Sequence, residues 1–590
     1  MTRPAEDFPR QLSRSRRFTL GAPRSFTVSP DGERVAFLRS PAGDDPATAL
    51  WLLDARSGRE VEVASARVLL GEGAEELAPE ERARRERARE IAGGIVAYAC
   101  DGAVEHAAFH LDGRLWWVPL RVDGPLVRPR QLPSPPAVFS ARTSPDGATV
   151  AFLAGSRLCA VATNDDGASE WWVVAEEPDE DVTWGAAEFI AAEEMGRSRG
   201  FWWSPDSQFL LAARVDNSTV QTWYTADPAN PSRSPEAHRY PAAGTADASV
   251  SLWLCNASGD GPRRQVEWAS ERYPYLVDVH WSPHGPPLLL VEARDHKTAA
   301  VLAVQADPDA AGAGGPAGPR PATLGAGAIG TAVMAEMTEG TWVDWPAGVP
   351  AWLPGGRFLW TSPDEGTWRL CVDGEPVTPA GLQVREVTSA GTSVLFTASP
   401  EPEVVEAWEW SPETGCSNLT GAGSGAAGFG AGSGVATVAG HAQCRVIGVR
   451  SMEWHGARVE LQRPKAAPIT IVNLAEVPVV DPAVRFLRVG ERQLSVGVVL
   501  PAGHSGGKLP VIMAPYGGPG HQMVLAARSV WLQAQWTADQ GFAVVVADGR
   551  GTPGRGPAWE RAVYRDLAGP ALEDQVDALR GAAELVPELD

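Results

Sequence analysis

A chain of 590 residues exceeds what one hydrophobic core supports, so two or more domains are expected. With 51 Lys and Arg against 73 Asp and Glu, the formal charge is −22. A field of that sign repels phosphate backbones and anionic lipid, which excludes nucleic acid as a partner, and it attracts cations such as a peptide N-terminus. Twenty-three tryptophans, 50 prolines and 62 glycines favour half-buried sheet faces joined by frequent turns and exclude a long helical bundle.

Residues 1–24 form a basic N-terminal segment without the apolar stretch of a signal peptide, and no run of 18 apolar residues follows. Neither a signal peptide nor a membrane span is predicted, and the expected location is cytoplasmic. Cys100, Cys159, Cys255, Cys371, Cys416 and Cys444 are widely spaced with no CxxC pair. That pattern predicts reduced, mostly buried thiols rather than a disulfide framework or a zinc site. No metal or cofactor is predicted.

From about residue 25 to 480 one pattern recurs: an apolar strand, a Ser-Pro-Asp-Gly turn, another apolar strand. It stands around Ser29, Ser144 and Ser204, with degraded copies around Ser282 and Leu353. Pro presets φ, Asp bonds back to nearby amides, and Gly closes the turn at little steric cost. One such marker per four-stranded unit predicts a β-propeller of seven or eight blades, eight favoured. Residues 75–90 interrupt it as a charged helix starting near Pro79, and residues 305–331 and 421–434 read as Gly/Ala-rich loops.

Past residue 480 the texture changes. The segments 494–503 and 508–518 are predicted to pair as strands. A helix near 529–541, a buried strand within 542–551 and an amphipathic helix before Val586 follow. Strands alternating with helices predict an α/β domain with a largely parallel sheet. The domains are thus 1–24, 25–480 and an incomplete 481–590, with the boundary near 475–485.

Three motifs carry a family resemblance. The segment Tyr516–Gly520 (YGGPG), the segment Ala547–Thr552 (ADGRGT) with its following helix, and the segment Trp184–Ser207 together resemble the dipeptidyl-peptidase IV branch of the prolyl oligopeptidase serine peptidases. Adjacent acids such as Glu193 and Glu194 are ordinarily a solvated face; at a helix end they can share one protonated amine. The resemblance implies that Glu193 and Glu194 bind the free N-terminus of a peptide substrate. It implies that Tyr516 donates its hydroxyl to the oxyanion, and that an arginine of 82–89, placed at Arg89 with Arg85 and Arg87 close by, binds a substrate carbonyl. Release of N-terminal dipeptides, Xaa-Pro or Xaa-Ala, is the implied activity, and a homodimeric parent is allowed.

Gly503–Gly507 satisfies G-x-S-x-G, but a strand rather than a helix follows it, so Ser505 is read as a hairpin-loop residue and not as a nucleophile. None of the ten histidines follows a strand of the α/β part in the order Ser, Asp, His. The triad is therefore expected to be absent from this chain, which is read as C-terminally truncated and inactive. Two other readings stand beside this one: an oligopeptidase or acylaminoacyl peptidase of the same family, and a non-catalytic propeller interaction module.

Overall fold

The computed structural model describes residues 7–71, 75, 77, 79–121, 128–164, 170–305, 327–420 and 434–590. Most of the two Gly/Ala-rich stretches lies outside them. Among the described residues, eight antiparallel sheets of four or five strands succeed one another from Arg24–Val28 to Ile469–Ile471. They are the blades of a β-propeller. A further four-stranded sheet, of mixed direction, runs from Val484–Val489 to Ala543–Asp548 and belongs to an α/β-hydrolase fold. The chain divides into two compact units, Met1–Val61 with Asp344–Asp590, and Glu62–Val343.

The recurrent turn owes its shape to a hydrogen bond within the motif. Ser144 Oγ donates to Asp146 Oδ1 at 2.6 Å and accepts from the Thr149 amide at 3.0 Å, while Asp146 accepts from the Ala148 amide. Ser29 with Asp31, and Ser204 with Asp206, repeat the arrangement. The serines are fully or almost fully buried, so each turn satisfies its own polar groups before the blade packs over it. The last position needs a left-handed backbone: Gly32 has φ +68° and Gly147 has φ +75°, and Ser207 adopts φ +63° where the glycine is lacking.

In the unit containing both chain ends, the first sheet packs on the eighth. Val28, Val35, Phe37 and Leu53 share one buried cluster with Cys444, Val446, Val459 and Leu461. A Cβ on Gly32 would fall 2.0 Å from Cys444 Sγ, so glycine is required there twice over. The N-terminal helix Phe8–Arg14 buries Phe8 beside Val480 and Leu532, and Arg14 pairs with Glu476 at 2.6 Å.

Two expectations for the C-terminal sheet are corrected. The strands Leu494–Val499 and Val511–Met513 do not pair with each other, because Ala543–Asp548 lies between them. Pairing is antiparallel with the first and parallel with the second. The sheet order makes only one of three pairings parallel, so the sheet is not largely parallel among the described residues. Every residue of Ala543–Asp548 is buried, and that apolar strand takes the central place. The segment holding Ser505 is therefore a crossover connection rather than a hairpin loop. Helices Arg528–Ala538 and Ala568–Leu585 cover the sheet; Trp531 lies on Gly497, whose added Cβ would stand 2.0 Å from the indole.

All six cysteines are free. Burial pushes the Cys159 thiol up to about 11 and that of Cys255 up to about 12, so both stay protonated and unreactive at neutral pH.

Candidate functional site

In the unit Glu62–Val343 the acid pair stands at a helix end. The helix Phe189–Glu193 starts on Glu188, whose carboxylate accepts from the Ala191 amide at 2.9 Å. Glu193 is its last residue, and Glu194 caps it at φ −106° and ψ −27°. Gly196, at φ +67°, turns the chain away. Both acids are exposed, whereas Glu188 is buried. Burial pushes the Glu188 carboxyl up, and the Arg197 guanidinium, 3.5 Å away, opposes that rise.

Of the candidate arginines, Arg87 is the one brought to the acid pair. Its Nε lies 3.7 Å from Glu193 Oε1, and its guanidinium carbon stands 5.1 Å from the Phe189 ring centroid. The charged helix is Pro79–Arg87, so Arg87 closes it. Arg89 lies on the turn beyond, exposed, with φ +50°. Arg85 is buried and engaged elsewhere, pairing with Glu75 at 2.6 Å and Glu81 at 2.7 Å. Arg87 rather than Arg89 stands beside Glu193, because the helix ends two positions before Arg89.

Sequence reasoning also missed His296. Its Nδ1 stands 3.0 Å from Glu292 Oε1, and its ring stacks on Tyr275 with centroids 5.5 Å apart. The bond to Glu292 holds the imidazole above its usual range, and Glu194 adds to that pull, so a titrating group stands within electrostatic reach of the acid pair. His296 follows an Arg-Asp turn, which by itself carried no signal.

In the other unit Tyr516 lies three residues past the end of the strand Val511–Met513, half-buried, its ring edge-on to His521 at 5.1 Å between centroids. The loop carrying it is tied down at both sides. Gln575 donates to the Tyr516 carbonyl at 3.3 Å, and Asp548 accepts the Met523 and Val524 amides at 3.0 and 2.8 Å. Burial pushes the Asp548 carboxyl up to about 6 despite those two donors. One turn further on, Arg550 forks onto the fully buried Asp574, with its backbone amide donating to the same carboxylate at 2.6 Å. Gly549 permits that approach: a Cβ there would meet Asp574 Cβ at 2.6 Å. The DGRG motif is thus a clamp between strand and helix.

Two segments satisfy G-x-S-x-G. Ser505 is exposed on its connection, and Ser198, within Gly196–Gly200, is exposed between a helix end and the strand Phe201–Trp203. Neither sits on a strand-to-helix elbow. Among the described residues no group of three or more His, Cys, Asp or Glu is placed to hold a metal ion. No helix among them is long and apolar enough to cross a membrane.

Residues 105–400, half of the chain, match the family model for the dipeptidyl peptidase IV N-terminal region, and residues 528–585 match the prolyl oligopeptidase family. Mouse (Mus musculus) "Prolyl endopeptidase FAP" is 35% identical over 78 residues, 13% of this chain and 10% of that protein. Human (Homo sapiens) "Dipeptidyl peptidase 8" is 26% identical over 121 residues, 17% of this chain and 14% of that protein. The matched segments thus span no more than about a seventh of these relatives' length. The crystal structure of Porphyromonas gingivalis dipeptidyl peptidase 4 superposes with a TM-score of 0.71 over 100% of this chain and 80% of that one, at 18% identity, which speaks for the fold. The chain belongs to the dipeptidyl peptidase IV branch of the prolyl oligopeptidase family.

Proposed function

We propose that this chain is the substrate-recognition part of a serine-type dipeptidyl aminopeptidase acting on peptides with a free N-terminus. The observation that carries the reading is the pair Glu193 and Glu194 at a helix end, with Arg87 against Glu193. Two carboxylates at a chain bend can accept the three donors of one ammonium group, while the neighbouring guanidinium offers donors to the first peptide carbonyl. Docking the amine fixes the distance to the cleaved bond and so sets release of two residues at a time. Tyr516, whose carbonyl accepts from Gln575, is proposed to give its hydroxyl to the oxyanion. Xaa-Pro and Xaa-Ala are the proposed dipeptides.

Neither G-x-S-x-G serine is read as the nucleophile, so the 590 residues are proposed to bind such peptides without hydrolysing them. A cytoplasmic location is proposed as well, supported by six free cysteines. Endopeptidase action is a second reading, favoured by the name of the FAP relatives.

Calorimetric titration of the chain with Ala-Pro-amide and with its N-acetyl derivative separates the two. Dipeptidyl specificity predicts that acetylation weakens binding at least ~10-fold, and that Glu193→Gln with Glu194→Gln abolishes the difference. Equal affinity for the blocked and free peptides refutes the amine-docking role.

A further inference from the structure

The helix Pro79–Arg87 has sequence PEERARRER and therefore no apolar stripe with which to hold itself in place. Nine residues are too few for a helix to persist on propensity alone. What fixes it is a charged cluster whose centre is excluded from water. Glu81 sits at its centre with 4% of its side chain exposed. Arg84 Nε reaches Glu81 Oε2 at 2.6 Å and Arg85 Nε reaches Oε1 at 2.7 Å, the i+3 and i+4 partners of one carboxylate. His110 Nε2, on the strand His106–Leu111, lies 3.1 Å from Glu81 Oε1 and is equally buried. Arg85 continues to Glu75, which accepts from the Gly94 amide at 3.1 Å.

Burial by itself pushes the Glu81 carboxyl up; Arg84 and His110 overcome it and hold the group well below the usual carboxylate range. Removing this acid leaves Arg85 to Glu75 alone and takes from Arg84 and His110 the carboxylate they share, so the cluster acts as a unit.

Arg87 lies six residues beyond Glu81, about 9 Å along the axis and about 120° around it. It leaves the buried face and meets the helix Phe189–Glu193 from outside. Its own contact with Glu193 is loose, at 3.7 Å with both side chains 34% exposed. A screened pair of that kind does not set the position of a helix. The position must come from the buried end.

We propose that Glu81, through His110, Arg84 and Arg85, is a positioning residue that holds Arg87 against Glu193 and thereby completes the amine and carbonyl site. This rests on the proposed function for what is bound there, but the lock itself is a statement about structure and is tested on both counts.

The test uses the 590-residue chain with Glu81→Gln, Arg87→Ala and the double variant. Affinity for Ala-Pro-amide is expected to fall ~10-fold in each single variant, and no further in the double variant, since Glu81 acts through Arg87. Losses that multiply, or an unchanged affinity in Glu81→Gln beside a loss in Arg87→Ala, overturn the proposal. Hydrogen exchange of peptides covering 83–88 and 189–194 is measured alongside. Glu81→Gln is expected to speed exchange in both segments, whereas a merely structural role of Glu81 would speed only the first and overturns the proposal. If the unaltered chain binds no free-amine peptide, the reading of the site fails and exchange alone decides the lock. His110→Gln, which leaves Arg84 and Arg85 paired with Glu81, takes the place of Glu81→Gln if that variant does not fold; faster exchange in 189–194 supports the lock and unchanged exchange refutes it.

Discussion

Replacing Asp548 by Asn removes a charge that the fold holds at some cost. The carboxyl is 2% exposed and accepts two backbone amides, one on each oxygen. Its ionisation is raised from 3.8 to about 6, first by burial and also by Glu403. A folded-state value above the unfolded one means that the native chain binds the proton more tightly. The corresponding stability, about 3 kcal/mol, is present below pH 4 and is lost as pH climbs through 6. Asparagine does not titrate, but it turns an NH2 toward one of the two amides, at about 1–3 kcal/mol. Asp548→Asn is therefore expected to be less stable than the parent by about 1–3 kcal/mol at pH 4, and equal to it or more stable at pH 7. Urea unfolding of both proteins at pH 4, 5, 6 and 7, compared at equal m-value, gives the difference, in which all other titrating groups cancel. A difference that stays constant across this range refutes the assignment of a strained, buried carboxylate.

Further outcomes follow from the same contacts. Ser144→Ala removes a buried hydroxyl that both donates and accepts within its turn, and should lower stability by about 1–2 kcal/mol by calorimetry. Gly549→Ala drives a methyl into Asp574 and should cost about 1–3 kcal/mol, with faster exchange of the Arg550 amide. If a preparation does hydrolyse Ala-Pro-anilides, Ser198→Ala and Ser505→Ala should leave its rate unchanged; loss of activity in either would identify a nucleophile that the fold gives no reason to expect.

Five of the eight blades were legible because a turn there writes its chemistry, whole or degraded, in four adjacent residues: proline and glycine for the backbone, aspartate for the amides. The serine's part was less visible, since the Ser144–Asp146 bond matters only once the serine is buried. The acid pair could be placed at a bend from Gly196 and Gly200. Strand order beyond residue 480 was beyond local reading. Nothing within 494–513 announces that Ala543–Asp548, thirty residues later, inserts between its strands. Which of Arg85, Arg87 and Arg89 stands beside Glu193 was beyond local reading for a similar reason. Which arginine faces outward depends on how the helix is seated, and Glu81 within it lies against a histidine 29 residues away in the sequence.

The packing of the first sheet on the eighth sets a schedule for synthesis. Val35, Phe37 and Leu53 leave the ribosome early, but their partners Val446, Val459 and Leu461 come some four hundred residues later. At about 5–20 residues per second the gap is roughly 20–80 s. Throughout that interval the leading sheet has an uncovered apolar flank and a free strand edge, open to any passing chain with the same pattern. Seven further blades of nearly the same design follow it out, so the nascent protein carries its own closest competitors for the seam.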